Sequence, residues 1–244
     1  MKNWKTKNGT AIIRVLSERS NAYLVIKEQI VILIDTGKTN AFQTLQENLF
    51  TLNLKIEDIS FVILTHTHYD HCQSAKKIKE KSNCQIIVSG KAADSVKNGY
   101  TKLPRGTFWI TEFIAATGRL IGKSKFGYEP FQPDILITGD YYLDVEGVNI
   151  KITETTGHSA DSVSIIVDNE IAVVGDAMLG VYRNSVFPPF ADDILEMLVS
   201  WHKLLETDCN IFLPGHGKEI SRNVLQKEYE KYKRKYKSTF SPLF

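Results

Sequence analysis

Apolar runs and their spacing divide the chain into short strands and amphipathic helices. Ala11 to Leu16, Ala22 to Lys27 and Ile30 to Ile34 are three β-rich runs, with Glu28-Gln29 placed for a tight turn between the last two. They predict antiparallel sheet. The third run is apolar throughout, as expected of a strand covered on both faces, and it ends in Asp35-Thr36-Gly37. Phe42, Leu45, Leu49 and Leu52 recur at helical spacing, so a helix over Asn40 to Leu52 should cover that sheet. Strands are expected at Phe61 to Leu64 and Gln85 to Val88, with a helix from Ser74 to about Ser82 between them. This β-loop-α-β order points to a layered α/β arrangement.

From Gly99 to Pro133 glycines and prolines interrupt the pattern, while Phe108, Trp109, Ile110, Phe113, Ile114, Leu120 and Ile121 suggest one short amphipathic helix. Three roles stand open for it: packing on the shell of the domain, a lid or substrate wall, or a helix lying on a membrane surface. The alternation then returns. Tyr141 to Val145, Val148 to Thr153, Ser162 to Val167 and Ile171 to Val174 read as strands, with turns at Glu146-Gly147 and Asp168-Asn169. Asp192 and Asp193 can begin a helix whose Ile194, Leu198, Trp201 and Leu205 share one face. A strand at Asn210 to Leu213 and a charged helix from Asn223 to Lys237 follow. No linker divides the pattern, so one domain over 1–244 is expected, with an insertion or lid at about 99–133.

Composition narrows the setting. With 43% hydrophobic and 24% charged residues, 244 residues can bury a sizeable core, and a net charge of +2 gives no global pull toward nucleic acid. Cys72, Cys84 and Cys209 have no paired spacing, which favours a reducing compartment. Asn8-Gly9-Thr10 stands where an export signal needs its apolar core, and no apolar run reaches the ~20 residues of a membrane span. A cytoplasmic protein with a small-molecule substrate and no membrane partner is expected; oligomerisation is left open. Lys227, Lys231, Lys233, Arg234, Lys235 and Lys237 interleave with Tyr229, Tyr232 and Tyr236, but Glu228 and Glu230 dilute the charge. A solvated helix with inward tyrosines is the expectation there, rather than a nucleic-acid surface.

The chemistry concentrates in Thr65-His66-Thr67-His68-Tyr69-Asp70-His71, where three imidazoles and a carboxylate fall within seven residues between a strand and a helix. In an extended loop His66 and His68 point to one side, and entry into the helix brings Asp70 and His71 round as an adjacent pair. One loop can thus feed two neighbouring metal positions. His158 in Thr156-Gly157-His158, His216 in Pro214-Gly215-His216 and Asp176 in Gly175-Asp176-Ala177 each follow a predicted strand, so strand ends can gather these residues along the same edge. His202, bordering an apolar helix face, and Cys72 read as structural residues.

These motifs, in this order over nearly the whole chain, resemble the metallo-β-lactamase superfamily. The resemblance implies an α+β fold, a four-layer αβ/βα sandwich of two mixed sheets packed face to face with helices outside. It places His66, His68 and His158 on one metal, Asp70, His71 and His216 on the other, Asp176 between them, and Asp35 behind a ligand histidine, orienting it. Two Zn2+ are expected, although the same donors accept iron or manganese. A hydroxide bridging the metals would be the nucleophile, with Asp70 as the catalytic residue that passes a proton to the leaving group. Exported resistance enzymes of the family often carry cysteine where Asp176 stands, and its oxygen-reducing di-iron members carry glutamate where His68 stands. The set here is closest to glyoxalase II-like thioesterases and lactonases, so a zinc-dependent hydrolase of a small cytosolic ester, thioester or lactone is the expected activity. Phosphodiester or RNA cleavage and mononuclear iron persulfide dioxygenation are the alternatives. Gln73-Ser74 departs from the Gly-Gly pair common in relatives. Tyr182, Arg183 and Phe187 after Asp176, and Tyr128 from the insertion, are the expected substrate contacts.

Overall fold

A computed structural model of the chain describes residues 1–236 apart from Glu146 and Asn184. β1 (Lys2–Lys5), β2 (Ala11–Ser17), β3 (Asn21–Lys27), β4 (Ile30–Ile34), β5 (Phe61–Ile63), β6 (Gln85–Ser89) and β7 (Ile135–Ile137) form a seven-stranded sheet in that order. It is antiparallel up to β4 and parallel beyond. β8 (Tyr141–Val145), β9 (Val148–Glu154), β10 (Val163–Val167), β11 (Ile171–Gly175), β12 (Ile211–Pro214) and β13 (Ile220–Ser221) form a six-stranded mixed sheet in which β12 lies parallel to β11. Both sheets are mixed, as the resemblance implied.

Strand alternation explains the apolar run at Ile30–Ile34. Ile32 and Ile34 enter the core between the sheets, with Ile12, Val25 and Ile63, and meet Ile150, Ile152, Ile165, Val173 and Leu213 of the other sheet. Val31 and Leu33 point the other way, into a second core with Leu45 and Leu49 of α1 (Phe42–Thr51). Each of these fully buried aliphatic side chains contributes about 1.5–3 kcal/mol. α2 (Tyr69–Cys72), α3 (Ala75–Ser82) and α4 (Ala93–Asn98) lie along the same half of the chain, and Ile78 of α3 joins this core. The insertion holds α5 (Trp109–Ile121) and α6 (Lys123–Phe126), broken at Gly122 with φ 59°. α7 (Ile194–Leu205) and α8 (Arg222–Lys235) cover the outer face of the six-stranded sheet through Leu198, Trp201, Leu204, Leu225 and Tyr229. Asp193 caps α7 by accepting from the Leu195 and Glu196 amides.

Several elements depart from the sequence expectations. β1 carries a single apolar residue, Trp4, half-buried against Tyr23, so its pattern is silent. β7 and β13 are three and two residues long, too short for periodicity to show. The helix expected from Ser74 to about Ser82 forms as α3, and a separate single turn, α2, stands before it across Gln73-Ser74. Lys237, where the last helix was expected to end, and Glu146 of the expected turn lie outside the described residues. The amphipathic helix suggested in the insertion, whose role the sequence leaves open, is α5. Only Ala115 and Gly118 are buried, while its large apolar side chains face outward. The small face lies inward, and a Cβ at Gly118 would stand 2.7 Å from Leu103 Cδ1.

Candidate metal centre

Strand ends from both sheets converge on one edge. Asp35 follows β4, the His66–His71 loop follows β5, His158 follows β9, Asp176 follows β11 and His216 follows β12. Hydrogen bonds clamp the two sheets there. Thr65 O accepts from the Val163 amide at 2.8 Å, Gly215 O from the Asn21 amide at 2.7 Å, and Pro214 O from Tyr23 Oη at 2.8 Å.

The partners of the histidines assign their tautomers. A backbone carbonyl can only accept, so His68 Nε2–H donates to Lys102 O at 3.2 Å and His158 Nδ1–H donates to Phe190 O at 2.9 Å. Thr65 Oγ1 donates to Asp35 Oδ2 at 2.8 Å and is left to accept from His66 Nδ1–H at 3.0 Å. In its neutral form each ring then turns an unprotonated nitrogen toward the others. His158 Nε2 and His68 Nδ1 face each other at 3.0 Å, two lone pairs that repel unless a cation sits between them. The donor atoms of His66, His68 and His158 lie within 4.8 Å of one another. Burial, with neighbouring imidazoles adding to it, lowers the His66 pKa well below its usual value; burial and His68 lower that of His158 to about 4 against the pull of Asp176. Both rings are neutral at neutral pH, as ligand imidazoles must be.

A second group lies beside the first. Asp70, His71 and His216 bring donor atoms within 4.8 Å of one another, and so do His66, His71 and Asp176. His71 Nε2 is 3.4 Å from His216 Nε2 and 3.5 Å from Asp176 Oδ1. Asp176 Oδ2 is 3.3 Å from His216 Nε2 and 3.8 Å from His158 Nε2, so this carboxylate faces both groups. Asp35 accepts from the Thr65 amide, Thr65 Oγ1 and His71 Nδ1, each at 2.8 Å. It fixes the His71 ring with Nε2 toward the centre. Burial opposes a charge on His71, but Asp176 and Asp35 raise its pKa to about 10. Burial likewise opposes charge on Asp176 and His216; the imidazoles of His216 and His71 nevertheless hold the Asp176 carboxyl well below its usual range, and Asp176 raises the His216 pKa. His66 Nε2 and Asp176 Oδ1 are buried with no hydrogen-bond partner among the described residues. Bare donors of this kind are costly without a cation. The residues present fit metal ions on that ground, and His/Asp metal-binding clusters occupy this edge of the molecule.

Two glycines make room for the cluster. A Cβ at Gly215 would stand 2.3 Å from Asp176 Oδ1 and 2.6 Å from His71 Cε1. Gly175, at φ +50°, would meet Thr65 Oγ1 at 2.6 Å. Sequence reasoning missed Asp161, which is buried and ties the loops together. It accepts from the Thr67 amide at 2.8 Å, Thr67 Oγ1 at 2.6 Å and Ser159 Oγ at 2.7 Å. A carboxylate three residues after His158, in a stretch rich in serine, was the available signal. Gln73, at the departure from Gly-Gly, donates from Nε2 to Gly127 O at 2.8 Å and accepts the Thr39 amide at 3.3 Å, linking the insertion to the metal loop. Cys72 donates to Thr67 O and is buried, a packing residue as expected. His202 stacks on Tyr229 at 5.5 Å between ring centroids.

The expected substrate contacts fare differently. Phe187 is buried, stacked on Tyr232 at 4.1 Å and set against Trp201, so it belongs to the helical core. Tyr128 is buried too; its Oη meets Thr101 Oγ1 at 2.9 Å, which meets Thr67 Oγ1 at 2.8 Å, so it buttresses the metal loop from behind. Tyr182 and Arg183 are exposed and lie outside the lining of the cavity that reaches the metal groups. That cavity, of about 380 Å³, has His68, Asp70, His158, Asp176 and His216 at its floor. Its walls are mainly apolar: Leu103, Ile114, Phe126, Leu179, Val181 and Phe190. Arg19 stands at its edge with Nε 3.6 Å from Asp70 Oδ2.

Comparison with known proteins agrees with this geometry. The family model of the metallo-β-lactamase superfamily matches residues 17–216. A protein described as a probable metallo-hydrolase of Methanocaldococcus jannaschii is 30% identical over 204 residues, covering 81% of this chain and 87% of that one. A β-lactamase-like protein 2 homolog of Drosophila melanogaster is 26% identical over 237 residues, covering 92% and 70%. Among solved structures, a HARLDQ-motif mutant metallo-β-lactamase of Cronobacter sakazakii superposes with a TM-score of 0.72 at 17% identity, covering 99% and 98% of the two chains. A metallo-β-lactamase family protein of Thermus thermophilus reaches 0.68 at 19% identity, covering 95% and 81%. The last two speak for the fold alone. With its family model matched over residues 17–216, the chain belongs to the metallo-β-lactamase superfamily.

Proposed function

We propose that the protein is a zinc-dependent hydrolase that holds two metal ions and cleaves a small ester, thioester or lactone in the cytoplasm. The observation that carries this reading is the run of three donor groups linked through His66 and His71, with Asp176 facing both outer groups, at the floor of an apolar-walled cavity. Imidazole and carboxylate donors suit zinc, with iron or manganese accepted by the same set. Bound there, a metal pair supplies Lewis acidity toward a carbonyl oxygen and a hydroxide nucleophile at neutral pH.

The chain's own residues supply positioning, dryness and proton handling. His66, His68 and His158 are held in ligand tautomers by Thr65, Lys102 O and Phe190 O, so no reorganisation precedes binding. Asp70 Oδ2 lies on the cavity floor 3.7 Å from His216 Nε2, placed to deliver a proton to the leaving group. Arg19 at the edge offers a cation to an anionic end of the substrate. The apolar walls exclude bulk water and favour an uncharged acyl portion over a polyanion. The C-terminal helix lends no support to a phosphodiester substrate, since Tyr229 and Tyr232 are buried and Lys231 pairs with Glu228 at 2.9 Å.

The test is metal analysis of protein purified without added metal, followed by a hydrolysis panel of thioesters, lactones, phosphodiesters and a chromogenic cephalosporin. Two zinc per chain with thioester or lactone turnover is expected. His68→Ala and Asp176→Ala should abolish that turnover while circular dichroism stays native. One iron with oxygen uptake, or undiminished turnover in both variants, would sink the reading.

A further inference from the structure

We propose that the outward face of α5 docks this protein on an anionic lipid surface. Trp109, Phe113 and Leu120 are 81%, 73% and 89% exposed, with Ile110, Ile114 and Ile121 about half exposed beside them. At 100° per residue these six positions fall on one face of the helix. The patch amounts to roughly 800 Å² if a large side chain exposes about 200 Å². Monomers seldom carry patches beyond ~300–600 Å².

Area alone would serve a second copy as well as a bilayer. Charge separates them. Residues 99–128 hold Lys102, Arg105, Arg119, Lys123 and Lys125 against a single acid, Glu112. Arg119 is paired with Glu112 at 2.6 Å, whereas Lys102, Arg105, Lys123 and Lys125 are exposed and make no ion pair among the described residues. A two-fold dimer through α5 would set these cations against their own copies. An anionic headgroup layer would neutralise them, while Trp109, Phe113 and Leu120 enter the interface. Among the described residues no helix is long and apolar enough to cross a membrane, and α5, with 13 residues, would lie on the surface. The absence of a membrane partner was expected from the lack of a spanning segment, a criterion that does not bear on such a helix. The placement also has a use. Ile114, Ala115 and Gly118 of α5 line the cavity, so the docking helix is itself a wall of the site and would open it toward molecules dissolved in the lipid.

The test uses the full chain with vesicles of phosphatidylcholine alone and of phosphatidylcholine with phosphatidylglycerol, read by co-sedimentation and tryptophan emission. Binding to the anionic vesicles, weakened by salt, with a blue shift from Trp109 is expected; Trp201 is fully buried and should not respond. The combined Trp109→Ser, Phe113→Ser and Leu120→Ser variant should lose binding with native circular dichroism and metal content. Lys123→Ala and Lys125→Ala should each weaken it by about fivefold. Failure to bind anionic vesicles overturns the proposal. So does a dimer in sedimentation velocity that the triple variant dissolves, or salt-sensitive RNA binding without vesicle binding. None of these readouts depends on hydrolysis, so the docking surface and the proposed activity can fail separately.

Discussion

Replacing Gly215 by alanine adds one methyl group inside the His/Asp metal-binding clusters. That carbon would stand 2.3 Å from Asp176 Oδ1 and 2.6 Å from His71 Cε1, whereas unstrained contacts of carbon settle near ~3.5 Å. The Gly215 backbone is not left-handed, so alanine can adopt it and the clash falls on the side chains. Asp176 and His71 must each retreat by about 1 Å. Metal–ligand distances tolerate only ~0.2 Å. His71 has little room to yield, because Asp35 holds its Nδ1 at 2.8 Å, so Asp176 should give way first. Overpacking of this size costs about 1–3 kcal/mol, which leaves the fold standing. A 1 Å misplacement at a reacting centre lowers turnover by ~10²-fold. Metal per chain, affinity by chelator competition and a thermal melt would be measured side by side on Gly215→Ala. The expected outcome is native circular dichroism with metal lost from at least one position. Full metal content with unchanged turnover would refute the assignment of Asp176 and His71 as ligands.

Two further substitutions separate support from chemistry. Asp161→Ala strands the Thr67 amide, Thr67 Oγ1 and Ser159 Oγ in a buried setting, so a loss of about 3 kcal/mol, or ~6–12 °C in Tm, is expected by calorimetry. An unchanged Tm would show that the loops do not depend on it. Burial works against the Asp140 charge, but Lys151, Thr153 and Lys203 hold its carboxyl well below the usual range. A depressed folded-state pKa contributes stability above the unfolded value of 3.8 that is lost as pH falls below it. Asp140→Asn should therefore cost about 1 kcal/mol at neutral pH, after discounting for partial exposure. Urea unfolding should show that difference shrinking as the pH drops below 3.8; a difference independent of pH would contradict the ion-pair account.

The His/Asp clusters were legible because each of their residues lies in a short motif pinned to a strand end, and strand ends are what alternation and glycine reveal. Ile30–Ile34 announced its double burial in the same way. What escaped was of two kinds. β1, β7 and β13 are too polar or too short to carry a period, and sheet pairing rather than local pattern makes them strands. Asp161, Thr65 and Gln73 act by accepting or donating across loops distant in sequence, which no local spacing encodes. Tyr128 and Phe187 are expected as substrate contacts from their place in the chain, in the insertion and after Asp176. The core took them instead, through Thr101 and Tyr232. In α5 the period was right and the role stayed open, since periodicity marks a face without saying whether protein or solvent meets it.

The donor groups join sheets that are contributed by different halves of the chain, and His71 and His216 stand 145 positions apart. An unfolded chain scatters these donors, so the occupant of the centre binds the native state almost exclusively. Occupancy at a hundredfold over the dissociation constant adds about 2.7 kcal/mol to the stability of the whole molecule. The centre is thus also a strut between two half-structures, and its strength is set by the supply of metal rather than by the sequence. A cell short of that metal would hold fewer copies of the protein, a loss of abundance that an assay of specific activity would never register.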